Sequence, residues 1–215
     1  MAKRWLNDKG AKMLVKGSSR TAEKREDPRV KRTRELIVRA FGELVMEKGH
    51  RGLTVQEITE RATVNRATFY DHFRDQYELL DYFISEAFHE ELRRRLPERP
   101  GLDEESLKAL VLATCDFLSE LESGCRHSDR QFKPLIEAQV PSELYKLLLG
   151  WIEAAQLKAN DRPADPEVTA SVVSWAIFGA GVRWSRDGAS GDGAAESEER
   201  FADQVLSVIV DGLHL

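Results

Sequence analysis

Residues 54–80 read TVQEITERATVNRATFYDHFRDQYELL, and this stretch decides the fold. Val55, Ile58 and Ala62 stand at i, i+3 and i+7, the spacing of one buried helix face. Thr54 precedes them as an N-cap. Asn65 caps a second short helix, Arg66 to Phe73, in which Phe69 and Phe73 face inward at i, i+4. Ala67, Thr68, Tyr70 and His72 then face outward. Two short helices joined by a tight turn form a helix-turn-helix, whose second helix can enter a DNA major groove.

The run Thr68-Phe69-Tyr70-Asp71-His72-Phe73, followed by Glu78 and Leu79, resembles the recognition helix and fourth-helix start of the TetR family of bacterial transcriptional regulators. The resemblance covers about residues 29–84; beyond them only size and helical layout agree. It implies backbone contacts from Thr68, Tyr70 and His72, with Asn65, Arg66 and Ala67 nearest the bases. Thr54 can bond a phosphate and Gln56 can reach a base. Three positions depart from the family pattern. Thr59 replaces a small residue, Thr63 replaces the glycine that ends the second helix, and Gln76 replaces a phosphate-binding Lys. A β-branched residue tolerates the left-handed turn poorly.

Charge divides the chain. Residues 1–100 hold 22 Lys and Arg against 17 Asp and Glu, while residues 101–215 hold 10 against 20. A basic first half suits a polyanion and an acidic second half is repelled by it, although asymmetry alone also fits a solvated tail. Residues 1–27 read as a basic flexible arm, either a plain tail or a segment lying on DNA. No apolar run reaches the ~18 residues of a membrane span. No secretory pattern opens the chain, so a cytoplasmic location is expected.

The periodicity predicts an all-α protein. The first helix opens at Asp27-Pro28, carries Ile37, Ala40, Phe41 and Leu44 on one face, and stops at Gly49. A three-helix DNA-binding domain over 28–74 is followed by a larger helical bundle over 75–215. Its helices run from Asp75 to Leu96, Leu102 to Leu121, Phe132 to Val140, Ser142 to Leu157 beyond Pro141, Glu167 to about Arg186, and Glu196 to Leu213. The Glu167 helix is apolar nearly all round and reads as deeply buried.

Catalytic and metal readings find little support. Cys115, Cys125 and His127 lack a zinc spacing, and the two cysteines are roughly 15 Å apart in rise if they share a helix. His89-Glu90-Glu91-Leu92 begins like a zinc-protease helix, but Arg93 stands where the second His is required. Gly179-Ala180-Gly181 follows no strand and reads as a close helix approach. No enzyme, cofactor or metal site is expected.

The expectation is a sequence-specific DNA-binding regulator, a repressor released by a small-molecule effector. By the resemblance, the effector binds in the bundle and moves the fourth helix. Phe88, Phe117, Trp151, Trp175 and Phe178 are the candidate pocket residues, with core packing as the plain alternative. Few basic groups accompany them, which favours an uncharged or cationic ligand. A homodimer is expected through the last two helices, with Val172, Trp175, Phe201, Val205, Val208 and Ile209 at its interface. Such a dimer reads a near-palindromic operator in double-stranded DNA. The alternatives are a DNA-binding protein controlled by a protein partner, or a helical metal protein or enzyme.

Overall fold

A computed structural model describes residues 27–49, 52–124, 133–159, 165–188 and 198–213. Among them are eight helices: α1 Pro28–Lys48, α2 Val55–Ala62, α3 Arg66–His72, α4 Gln76–Arg95, α5 Glu104–Gly124, α6 Lys133–Ala159, α7 Pro166–Gly188 and α8 Glu198–Leu213. The described residues include no strand. The chain divides into two compact units, and the division falls inside α4, between Ile84 and Ser85.

In the first unit, Asp27 caps α1 by accepting from Arg29 N–H, and Pro28 sits where a missing N–H costs nothing. Gly49 ends the helix at φ 75°. Ile37, Ala40, Phe41 and Leu44 are buried, as are Ile58 and Ala62 of α2 and Phe69 of α3. Phe73, which follows α3, packs edge-on against Tyr82 of α4 at 5.6 Å, and Phe41 meets Phe83 at the same distance. Edge-to-face rings of this kind add to their area burial.

In the second unit, the remainder of α4 packs with α5 to α8. Its core includes Phe88, Leu110, Leu144, Leu148, Ile177 and Leu206. Gly181 lets α7 approach α5: a Cβ there would lie 2.9 Å from Thr114 Cγ2 and 3.0 Å from Leu118 Cδ1. Gly179 faces open space, so only Gly181 serves the close approach. Arg95 ties the end of α4 to α5 and α8, bonding Asp116 at 2.5 and 2.9 Å and Glu198 at 3.3 Å.

Two sequence expectations change. Pro141 does not break the chain into two helices, because α6 runs unbroken from Lys133 to Ala159. An interior proline costs ~3 kcal/mol, and the fully buried Val140, Leu144 and Leu148 around it offset that cost. Nor is α7 buried all round. Val168, Val172 and Trp175 are 59%, 52% and 57% exposed on one face, while Val173, Ile177 and Phe178 face the core.

Candidate nucleic-acid interface

The second helix of the motif is only seven residues long, too short to stand alone, so its ends must be held. Asn65 holds the start. Its Oδ1 accepts from Thr68 N–H at 2.7 Å and from the Thr68 hydroxyl at 3.0 Å. The amide nitrogen of Asn65 takes no part in the cap and can still donate outward. Phe69 and Phe73 anchor the inner side, 0% and 3% exposed.

The outward side carries Arg66, Ala67 and Tyr70, all exposed. Arg66 Nη2 donates to Tyr70 Oη at 3.2 Å, and the guanidinium lies 5.7 Å from the Tyr70 ring centre. This leaves the Tyr70 hydroxyl proton to donate elsewhere. It also stiffens Arg66 near the helix start. Ala67 offers a small apolar surface, the kind that admits a thymine methyl. His72 is half-buried, its ring 6.4 Å from that of Phe73.

The start of α2 is more committed than the sequence suggests. Thr54 and Glu57 form a capping box: Thr54 Oγ1 accepts from Glu57 N–H at 3.2 Å, and Glu57 accepts from Thr54 N–H at 2.8 Å. The Thr54 hydroxyl also donates to Glu57 at 3.0 Å, so a phosphate bond from it requires that proton to turn away. Lys48 of α1 grips the other Glu57 oxygen. That hydrogen bond, then those from Thr54, hold the Glu57 carboxyl down at about 2. Gln56 Nε2 bonds Glu60 at 2.9 Å, one turn on. Arg61 clamps α2 to α1 through two 2.8 Å bonds to Glu47. Lys48 and Arg61 thus hold the scaffold together.

Thr63 ends α2 in the left-handed conformation, φ 58° and ψ 42°. It is the only non-glycine residue with positive φ among those described. Thr59 is buried and donates its hydroxyl to Gln56 O at 2.9 Å, which satisfies the polar group where a smaller residue is usual. Asp75 caps α4, accepting from Tyr77 and Glu78 N–H at 2.8 and 2.9 Å. Arg74 is absent from the sequence-derived set. Its side chain is 86% exposed at the turn between α3 and α4, paired with Glu78 at 3.1 Å. A basic residue two positions before Gln76 was the available signal.

In the second unit the candidate pocket residues do not converge. Phe88 and Phe117 are buried against each other, ring centres 5.3 Å apart, and fill core space. Phe178 is buried beneath the exposed Trp175 ring at 5.9 Å, and Trp151 is half-buried. Trp175 alone of the five borders an open groove of about 440 Å³ between α6 and α7, with Pro141, Ser142, Tyr145 and Ser174. Of the dimer candidates, Val172, Trp175 and Val208 are more than half exposed, and Val205 is half-buried. Phe201 and Ile209 are 6% and 4% exposed inside their own unit and are core residues, a correction to the expected interface.

No group of three potential metal ligands occurs among the described residues. Burial pushes the Cys115 thiol up to about 12, which disfavours the thiolate a metal needs. Cys125, His127 and the residue 1–26 part of the arm lie outside the described residues. Among the described residues no helix is long and apolar enough to cross a membrane.

Residues 37–83 match the model of bacterial regulatory proteins of the tetR family. Over 105 residues the chain is 37% identical to the HTH-type transcriptional regulator YxbF of Bacillus subtilis (strain 168), covering 48% of this chain and 27% of that protein. Over 185 residues it is 26% identical to the HTH-type transcriptional repressor KstR2 of Rhodococcus jostii (strain RHA1), covering 79% and 85%. The chain therefore spans about a quarter of YxbF and most of KstR2. The solved structure of the flavonoid-responsive regulator FrrA shares the fold, with a TM-score of 0.54 at 19% identity over 84% of this chain and 96% of that one. What these comparisons share with the chain is the helix-turn-helix segment, and over residues 37–83 the chain is similar to the bacterial regulatory proteins of the tetR family.

Proposed function

We propose that the protein is a cytoplasmic, sequence-specific DNA-binding regulator that acts as a homodimer and represses until a small molecule releases it. The outward face of α3 carries the reading. It presents Arg66, Ala67 and Tyr70 on a helix capped by Asn65 and anchored by Phe69. Arg66, Ala67 and Asn65 meet base edges. Tyr70, Thr68 and His72 meet phosphates, Thr54 at the cap of α2 bonds another, and Gln56 of α2 reaches a base. The similarity to the repressor KstR2 supports the sign of regulation. The fold shared with the flavonoid-responsive FrrA supports a small-molecule effector.

The dimer face is the exposed apolar stripe of α7, Val168, Val172 and Trp175, together with Val208 of α8. Two-fold pairing sets two recognition helices about 34–36 Å apart, or a multiple of that, on a near-palindromic site. The effector takes the groove beside Trp175, whose lining includes Glu137 and no basic residue, and is uncharged or cationic. A second reading is control by a protein partner. The filled aromatic core around Phe88 and Phe117 favours it.

Selection of genomic fragments by the purified protein, then mobility shifts on the recovered site, tests the main reading. Tyr70→Ala and Thr68→Ala weaken binding to all sequences. Arg66→Ala also changes base preference, by about 1–3 kcal/mol if it reads a guanine. Unchanged affinity in the double Tyr70, Thr68 variant refutes the assignment.

A further inference from the structure

Gln56 is the second residue of α2, and it and Glu60 are both exposed. Gln56 Nε2 donates to a Glu60 carboxylate oxygen at 2.9 Å, one helical turn on. A carboxylate accepts and does not donate, so the nitrogen of the Gln56 amide must face Glu60 and the amide cannot turn over. Among the described residues the Glu60 carboxylate forms no ion pair and no other hydrogen bond. The nearby cations are engaged elsewhere: Lys48 holds Glu57, and Arg61 holds Glu47 and Glu43.

What remains on the Gln56 amide is one N–H and the oxygen Oε1, a donor beside an acceptor. In the major groove adenine alone presents both complements on one base, an acceptor at N7 and a donor at N6. Guanine offers two acceptors, cytosine a donor, and thymine an acceptor with a methyl group, so each leaves half of the amide unanswered. An unrestrained glutamine can turn its amide over and meet guanine with both N–H groups. Glu60 removes that choice, and it orders a side chain that otherwise gives up rotamer freedom on meeting DNA. A carboxylate beside a polyanion works against affinity, so what Glu60 adds is selectivity rather than strength.

We propose that Gln56 reads an adenine in each operator half-site, and that Glu60 is the positioning residue that holds its amide for that base. The proposal rests on the DNA-binding reading above and supplies the base which that reading leaves open. The same device recurs on α3, where Arg66 is steadied by Tyr70, again four residues on.

Sites selected from random DNA by the full-length protein give the wild-type base preferences. Each variant is then scored by the ratio of its affinities at one position, so that a general change in charge cancels. Gln56→Ala abolishes the preference at one position per half-site, an A·T pair favoured roughly 5- to 150-fold by the wild type. Replacing that adenine by its 7-deaza analogue, which lacks N7, weakens the wild type and leaves Gln56→Ala unchanged. Glu60→Ala lowers the adenine preference roughly 2- to 12-fold, the cost of ordering one free side chain. Glu60→Lys is the decisive variant. Lysine donates, so Oε1 of Gln56 turns toward it, both N–H groups face the DNA, and the preference moves to guanine. A merely structural role for Glu60 leaves base preference untouched. Both side chains are exposed, so every variant melts close to the wild type. An unchanged adenine preference in Glu60→Ala or Glu60→Lys overturns the proposal, as does a lost position in Gln56→Ala that is not A·T. A wild type that selects no site refutes the DNA-binding reading itself. A wild type that selects a site while Gln56→Ala keeps every preference refutes this proposal alone.

Discussion

Thr63 offers a direct test of how the helix-turn-helix is built. Its φ of 58° and ψ of 42° are left-handed, and its Cβ is branched. An L-residue held there costs roughly 1–2 kcal/mol, and branching worsens the fit. Thr63→Gly removes that strain but returns roughly 0.5–1 kcal/mol through the greater freedom of glycine in the unfolded chain. The net gain is about 0.5–1 kcal/mol, or roughly 1–4 °C in melting temperature for a chain of this size. The turn itself should survive, because backbone groups hold it: Thr63 N–H bonds Glu60 O at 3.2 Å and Val64 N–H bonds Thr59 O at 3.0 Å. Amide exchange is the sharper assay, since it reports the first unit alone. Protection at Ile58, Ala62 and Phe69 should rise roughly two- to fivefold. Thr63→Asn should match the gain with less entropic loss, and Thr63→Val should show none. Slower exchange in none of these variants, or a lower melting temperature for Thr63→Gly, would refute the left-handed assignment.

Gln76→Lys adds one cation beside Arg74 and should steepen the slope of log affinity against log salt by about 0.9; equal slopes place the position away from DNA. Val172→Glu with Val208→Glu should yield a folded monomer near 24.4 kDa by light scattering that binds DNA weakly, and a wild type of that same mass at micromolar concentration removes the dimer. Glu57, lowered to about 2 chiefly by Lys48, contributes stability that is present above its ordinary 4.5 and lost as pH falls through about 2. Glu57→Gln should therefore lower the melting temperature at neutral pH and leave it unchanged below that range. The stability gap between wild type and Glu143→Gln should be widest from about 4.5 to 6.5 and narrow as pH rises through about 9, where His89 loses its proton and only the Lys146 pairing of Glu143 remains.

What the sequence revealed were features written in neighbouring residues. Asp27-Pro28 and Gly49 bound α1, Thr54 and Glu57 open α2, and Asn65 opens α3, each through bonds spanning four residues or fewer. The three inward faces followed from spacing alone. Pro141 misled for the opposite reason. Its local cost is real, but Val140, Leu144 and Leu148 are buried by distant elements, and only the folded bundle reveals that. The engagement of Glu143 by His89 joins residues 54 apart and leaves no periodic trace. Arg74 was visible as a basic residue, but its exposure was not.

The last helix shows the limit most clearly. At 100° per residue, Phe201, Val205, Val208 and Ile209 look like one stripe, and Leu206, Val210 and Leu213 like another. In the fold, Phe201, Ala202, Leu206 and Ile209 are buried together, with Val205 and Val210 half-buried at the margins. The two stripes are flanks of one broad core face, and Val208, 74% exposed, stands beyond its edge. Periodicity gives the width of an apolar face but not how much of it the protomer covers. On α7 the same ambiguity resolves the other way: a helix apolar all round hides only the Val173, Ile177 and Phe178 side. The surface left for a partner therefore moves from the centre of α8 to α7 and the margin of α8. Each valine there is already partly covered in the protomer, so covering the rest contributes about 1–2 kcal/mol to association before the entropic costs. The partner surface that remains is narrow and centred on Val168, Val172 and Trp175, so those side chains should carry most of the dimer affinity, while substitutions at Phe201 or Ile209 should unfold the protomer before they separate a pair.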